Sequence, residues 1–175
     1  MNQKLEWIKS RRSVRSYKPE LPPKETIEAI VDAGLYAASG KNGQSSIIVA
    51  VTDRELRDRL MEMNRAIGGW QKGFDPFYGA PVVLIVLARK DSPYAVQDGS
   101  LTMGEMMHAA HAMGLGSCWI NRAKEEFETE EGRAILRELG VEGDWVGVGH
   151  CILGYAEGAE PAAKERKPGR VFWAE

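Results

Sequence analysis

The chain has 175 residues, 43% hydrophobic and 27% charged, with a formal net charge of −2. That size and balance suit one globular domain over residues 1–175 and exclude disordered and fibrous classes. A mildly acidic chain lacks the electrostatic footprint of a nucleic-acid or polybasic membrane binder, and no apolar run approaches the roughly 20 residues of a membrane helix. The polar start, Met1 to Trp7, has no apolar core of a secretory signal. Cys118 and Cys151 form no C-x-x-C pair, so a reduced cytoplasmic compartment is the expected home.

In chain order, the pattern predicts a first helix from about Lys4 to Arg11. Pro22-Pro23 starts a second helix whose apolar positions Ile27, Ile30, Val31, Leu35 and Ala38 follow a 3.6 period. The stretch Ser39-Gly40-Lys41-Asn42-Gly43-Gln44 reads as a loop, and Ile47 to Val51 as a buried strand. Asp53 is placed to cap a helix with Leu56, Leu60, Met63 and Ile67 on one face. Asn64 to Pro81 reads as irregular, and a loop that long is usually functional.

Val82 to Ala88 is continuously apolar, as in a strand covered on both faces. Ala95 to Met113 is helical without a clean polar face, which implies burial against a second subunit as well as its own core. Ser117 to Ile120 reads as a short strand, and Thr129 to Leu139 as a polar helix stopped by Gly140. Val146 to Leu153 alternates, with Val146, Val148 and Ile152 on one face and Gly147 and Gly149 on the other. Those glycines mark a close approach to the backbone. The irregular alternation of strands and helices predicts a three-layer α+β fold.

Chemistry concentrates at the chain's two ends. Five basic side chains and no acidic one lie between Lys9 and Lys18, including Arg11-Arg12-Ser13-Val14-Arg15. Lys164 and Arg166 repeat the pattern in the tail. Arginine forks match phosphate oxygens bidentately, and Ser13 adds a neutral donor. The alternative is a solvated basic helix end. No dinucleotide fingerprint, P-loop or G-x-S-x-G elbow is present. Glu105, His108 and His111 form one Glu-x-x-His pattern where a di-metal bundle needs two, so these read as packing histidines and no metal is expected. Cys118 reads as a small buried apolar side chain.

Five segments occur in a telling order: Arg11 to Arg15, Ala38 to Gln44, Gly114-Leu115-Gly116-Ser117-Cys118-Trp119-Ile120, Leu153-Gly154-Tyr155, and Lys164-x-Arg166-x-Pro168. Together they resemble the nitroreductase family of FMN-dependent oxidoreductases. The resemblance implies a central, mostly antiparallel sheet flanked by helices, in a homodimer with FMN at the subunit interface. By that resemblance Arg11 meets the FMN phosphate, with Arg12, Ser13 and Arg15 along the ribityl and pyrimidine groups. Lys164 and Arg166 close on the phosphate from the tail. Ser39, Gly40, Asn42 and Gln44 reach the partner's flavin, and the backbone of Trp119, Ile120 and Asn121 faces the ring edge.

The implied activity is ping-pong hydride transfer from NAD(P)H to a small electron-poor acceptor such as a nitroaromatic or quinone. The flavin carries that chemistry, so no protein triad is expected. Other readings are reductive dehalogenation or flavin fragmentation within the family, or a non-catalytic FMN-binding or redox-sensing module. Two departures stand out: Ser45-Ser46 occupies the usual Pro-Trp position, and Asn121-Arg122 adds a cation at the ring edge. In so short a chain, a substrate pocket leans on residues 64–79. Trp70, Phe74, Phe77 and Tyr78 are then either lid aromatics or local packing.

Overall fold

In the computed structural model, which describes residues 2–175, four strands form one sheet in the order β1-β2-β4-β3. They are β1 (Ser46–Val51), β2 (Val82–Arg89), β3 (Gly116–Ile120) and β4 (Trp145–Gly154), and every neighbouring pair is antiparallel. The helices are α1 (Gln3–Ser10), α2 (Lys24–Leu35), α3 (Arg54–Gly68), α4 (Ala95–Ala112), α5 (Ala123–Glu128) and α6 (Glu130–Glu138).

The apolar run of β2 has the cause its pattern suggests. Val82 to Ala88 are all fully buried. Side chains on a strand alternate between faces, so one unbroken run serves two cores. Val83, Ile85 and Leu87 join Leu60 of α3, Phe127 of α5 and Ile135 of α6. Val82, Leu84 and Val86 join Ile27 and Ile30 of α2 and Met103, Met106 and Ala110 of α4. Helices on both faces of an antiparallel sheet give the expected three-layer α+β arrangement.

Local signals account for most boundaries. Asp53 caps α3 by accepting from Leu56 N at 2.8 Å, and Gly69 ends it at φ 70°. Thr129 caps α6 through Gly132 N at 3.0 Å. The first helix stops at Ser10, one residue early, because Arg11 turns to φ −53°, ψ 133°. The second stops at Leu35, which is itself exposed, so Ala38 lies outside it. Helix α3 continues to Gly68, taking in the first five residues of the stretch expected to be irregular. The short α5 had no periodic signal of its own and was not anticipated.

The alternation of β4 is broken by a bulge. Val86 pairs with Gly149 and Leu87 with Gly147, which leaves Val148 unpaired. Val148 consequently packs with the α2–α4 core, while Ile152 packs with the opposite core. The two glycines face different neighbours: a methyl group at Gly147 would run into the Ala123 carbonyl, and one at Gly149 into the Trp119 indole. Both are sites of close approach, as expected, but on opposite faces.

Residues 69–81 form a pinned loop. Arg57, nearly buried, donates from Nε to Ala80 O at 3.1 Å and pairs with Asp75, with its guanidinium 5.5 Å from the Phe77 ring centre. Asp75 also accepts from Phe77 N at 2.7 Å and Gly79 N at 2.9 Å. Phe77 is a core residue rather than a lid aromatic, being fully buried. Trp70, Phe74 and Tyr78 contact one another in succession, tilted and then edge-on, at 5.5 and 6.1 Å between ring centres.

Gly147→Ala is expected to lower the unfolding free energy by about 2–3 kcal/mol, because the added methyl meets rigid backbone. Urea denaturation reads this as a lower midpoint at unchanged slope.

Candidate functional site

The basic N-terminal segment is extended, and its position is set by neighbours. Helix α1 has no buried residue. It is tied to α4 by Ser10 Oγ, 2.7 Å from His111 Nε2, and by Trp7 stacked on His111 at 5.3 Å. The helical histidines thus pack and hydrogen-bond. Beyond Ser10 the chain runs along the outer edge of β3. Ser13 bridges Ser117, Val14 N donates to Ser117 O at 3.0 Å, and Val14 and Tyr17 are buried. Tyr17 donates its hydroxyl to Val14 O at 2.9 Å, and burial pushes its pKa well up. In extended chain Arg11, Ser13 and Arg15 fall at alternate positions, so their juxtaposition follows a period of two rather than a helical turn.

The two ends of the chain meet. Arg11, Arg12 and Ser13 share a cavity of ≈ 900 Å³ with Lys164 and Arg166, with Met107 and His108 of α4 at its wall. Arg12 Nη1 donates to Lys9 O at 2.6 Å and Arg11 O at 2.8 Å, while Arg166 donates to Lys164 O at 2.7 Å. Arg11 Nη1 is enclosed and has no hydrogen-bond acceptor among the described residues. An enclosed guanidinium nitrogen without an acceptor, among further cations, fits an anionic group with several oxygens.

The loop after α2 is held elsewhere. Gly40–Asn42 forms a 3₁₀ turn in which Lys41 and Asn42 both take φ 54°, and Gln44 takes φ 46°. Asp98 of α4, almost fully buried, holds this strained segment from both sides. It accepts from Gly40 N at 2.8 Å and Ser45 Oγ at 2.7 Å, and Gln44 N donates to Ser39 Oγ at 3.0 Å. A side chain at Gly40 would strike the Tyr94 ring. Asp98 and His108 are ten residues apart on α4, about 15 Å along a helix. Within one chain, therefore, Ser39, Gly40, Asn42 and Gln44 do not line the cavity that Arg11 lines.

Trp119, Ile120 and Asn121 close β3 at its far end. Trp119 turns its indole against Gly149, and Ile120 is buried. Asn121 and Arg122 are exposed, with Arg122 at φ 82° and paired to Glu125 at 2.8 Å. Asp98 was not among the expected site residues. Its one sequence signal is an acid in an otherwise apolar helical stretch, and its partners lie 58 and 53 positions away.

Comparison with known proteins agrees with this architecture. The nitroreductase family model matches residues 8–155. The chain belongs to the nitroreductase family. A nitroreductase crystal structure with bound FMN from Bacteroides fragilis is 32% identical, with full coverage of both chains and a TM-score of 0.89. The "Putative NADH dehydrogenase/NAD(P)H nitroreductase" of Methanothermobacter thermautotrophicus is 33% identical over 119 residues. That alignment takes in 66% of this chain and 59% of the relative, so it spans less than two thirds of that protein's length. Iodotyrosine deiodinase from Thermotoga neapolitana is 30% identical over 129 residues, 62% of this chain and 68% of that one.

Cys118 and Cys151 are both free and buried. Burial raises the Cys118 thiol pKa, an effect opposed by Arg15, a hydrogen bond from Ser13, and Arg11. Burial pushes Cys151 up to about 12, with nearby Cys118 acting in the same direction. A thiol whose pKa is raised on folding stabilises the protein below its unfolded value, near 8.5, and that stability is lost as pH climbs towards the folded value. Melting temperature is therefore expected to fall from about pH 9 upwards. At pH 8 a disulfide thiol reagent should leave both cysteines unmodified in the native protein and titrate both after unfolding.

Proposed function

We propose that the protein is an FMN-dependent oxidoreductase that takes hydride from NAD(P)H and delivers it to a small electron-poor acceptor such as a nitroaromatic or quinone. The observation that carries this reading is the enclosed, acceptor-free Arg11 nitrogen in a cavity where both basic ends of the chain converge. Arg11, Arg12, Lys164 and Arg166 would hold the FMN phosphate, with Ser13 and Arg15 beside them along β3. The backbone of Trp119, Ile120 and Asn121 would take the ring edge. FMN, when bound, supplies the hydride acceptor and donor, which is why no acid–base pair is required of the protein.

The full site is proposed to need a homodimer. Ser39, Gly40, Asn42 and Gln44 are separated from the cationic cavity by the length of α4, so a second copy would supply them. Exposed apolar surface supports the same reading. Tyr36 beside that loop is 83% exposed, and Phe172 and Trp173 in the tail are 89% and 82% exposed. Isolated large apolar side chains are common on surfaces, but a run of them points to an interface. The family's named relatives include an iodotyrosine deiodinase, which supports reductive dehalogenation as a second acceptor chemistry. Iodide release from 3-iodotyrosine by the reduced protein separates the two.

The purified protein is expected to take up FMN and to lose its flavin colour anaerobically on addition of NADH or NADPH. A colourless protein that refuses added FMN would overturn the reading. Arg11→Ala and Arg166→Ala should each weaken FMN binding about tenfold to a hundredfold, since charge-assisted hydrogen bonds contribute about 1.5–3 kcal/mol each. Sizing should report a dimer.

A further inference from the structure

Behind the β3–α5 turn lies a polar group of three residues with no exposure at all: Asn64 of α3, Glu126 of α5 and His150 of β4. Asn64 Nδ2 donates to Asn121 O at 2.8 Å and also to Glu126 Oε1. Glu126 Oε2 lies 2.8 Å from His150 Nε2, an ion-pair approach without hydrogen-bond alignment. The rings of Phe77 and Phe127 flank His150, with centres 5.3 and 6.4 Å away. Both groups facing Asn64 Nδ2 are acceptors, a peptide carbonyl and a carboxylate. Only the amide nitrogen, with its two hydrogens, satisfies both, so the orientation of this side chain is forced.

Three buried polar residues in an apolar core are costly unless their arrangement achieves something a hydrophobic cluster would not. Here they span three elements: Asn64 grips one carbonyl, and Glu126 accepts from the same amide nitrogen. The peptide joining Asn121 to Arg122 is trans, so its N–H points opposite to its C=O. With the Asn121 carbonyl drawn inward to α3, the Arg122 N–H is turned outward, on an exposed turn. Arg122 at φ 82° then starts α5, its carbonyl accepting from Glu126 N at 2.9 Å. Glu126 is thereby fastened at both its backbone and its side chain.

We propose that Asn64, held by Glu126, is a positioning residue that locks the Asn121–Arg122 peptide with its N–H facing the ring edge of the bound flavin. This rests on the flavin reading above. A fixed donor at the electron-accepting edge favours the electron-rich form of the ring. The grip lies four strand residues from the Ser13–Ser117 bridge, about 13 Å, so it is separate from the phosphate cavity.

The test compares FMN affinity with flavin midpoint potential in the holoprotein. Asn64→Leu removes the donor. It is expected to leave oxidised FMN affinity within about threefold and to lower the reduced-over-oxidised affinity ratio about tenfold, a drop of about 30 mV for a two-electron couple. Glu126→Gln keeps the acceptor that holds Asn64 and should keep the ratio within about threefold. An unchanged or raised ratio in folded, FMN-loaded Asn64→Leu overturns the inference. So does an equal drop in Glu126→Gln, which would mark a general effect of disturbing the core. If Asn64→Leu does not fold, Asn64→Asp keeps the shape, sets an acceptor against Asn121 O, and is read by the same criteria. A parent protein that takes up no FMN removes the flavin reading itself; a parent that binds FMN, with unaltered variants, removes only this inference.

Discussion

Burial of β2 on both faces is the constraint on which the rest depends. Seven consecutive residues, Val82 to Ala88, are fully buried, and from Val82 to Leu87 they alternate between one helical layer and the other. With both faces of β2 covered, the middle of the sheet offers no room for a ligand. Polar chemistry is displaced to the outer edge of β3, to the ends of α4 and to the turn after β3. The candidate site follows that outline: the cationic segment lies along the β3 edge, and the loop 39–45 lies at the start of α4.

The polar residues that do enter the interior share a pattern. Arg57 holds the 69–81 loop through Asp75 and Ala80, Asp98 holds the 39–45 loop through Gly40 and Ser45, and Asn64 holds the turn at Asn121. Each ties irregular backbone to a helix that is itself fixed by apolar packing. Desolvating such groups is unfavourable unless their hydrogen bonds are met. They impose particular backbone conformations that apolar contacts, being non-directional, would leave loose. Positive φ at Lys41, Asn42, Gln44 and Arg122 is tolerated within or beside these ties.

The strands, the long helices and the asymmetry of burial were legible from periodicity, since 2.0 and 3.6 are properties of local geometry. Short elements were not. The six residues of α5 span under two turns and carry no period, and the bulge at Val148 depends on pairing with a strand some sixty residues earlier. Phe77 looked like a loop aromatic because its neighbours are Gly, Asp, Pro and Tyr; its burial arises from distant residues, the core on the α3–α5–α6 side of the sheet, His150, and Arg57 twenty positions away.

At the site the division is similar. Residue types alone raised an anion as one reading of the basic clusters, beside a solvated helix end, because arginine, serine and lysine donors are chemically explicit wherever they fall. The ordered motifs from Arg11 to Arg166 determined the family, which the matched span and the fold bear out. Only the tertiary structure decided that the two basic ends share one cavity, that Ser39 to Gln44 stand apart from it, and that Asp98, Asn64, Glu126 and His150 stand behind the loops. Those relations are contacts between residues many positions apart. Such contacts leave no local period or composition to read, and arise only when apolar packing brings the elements together.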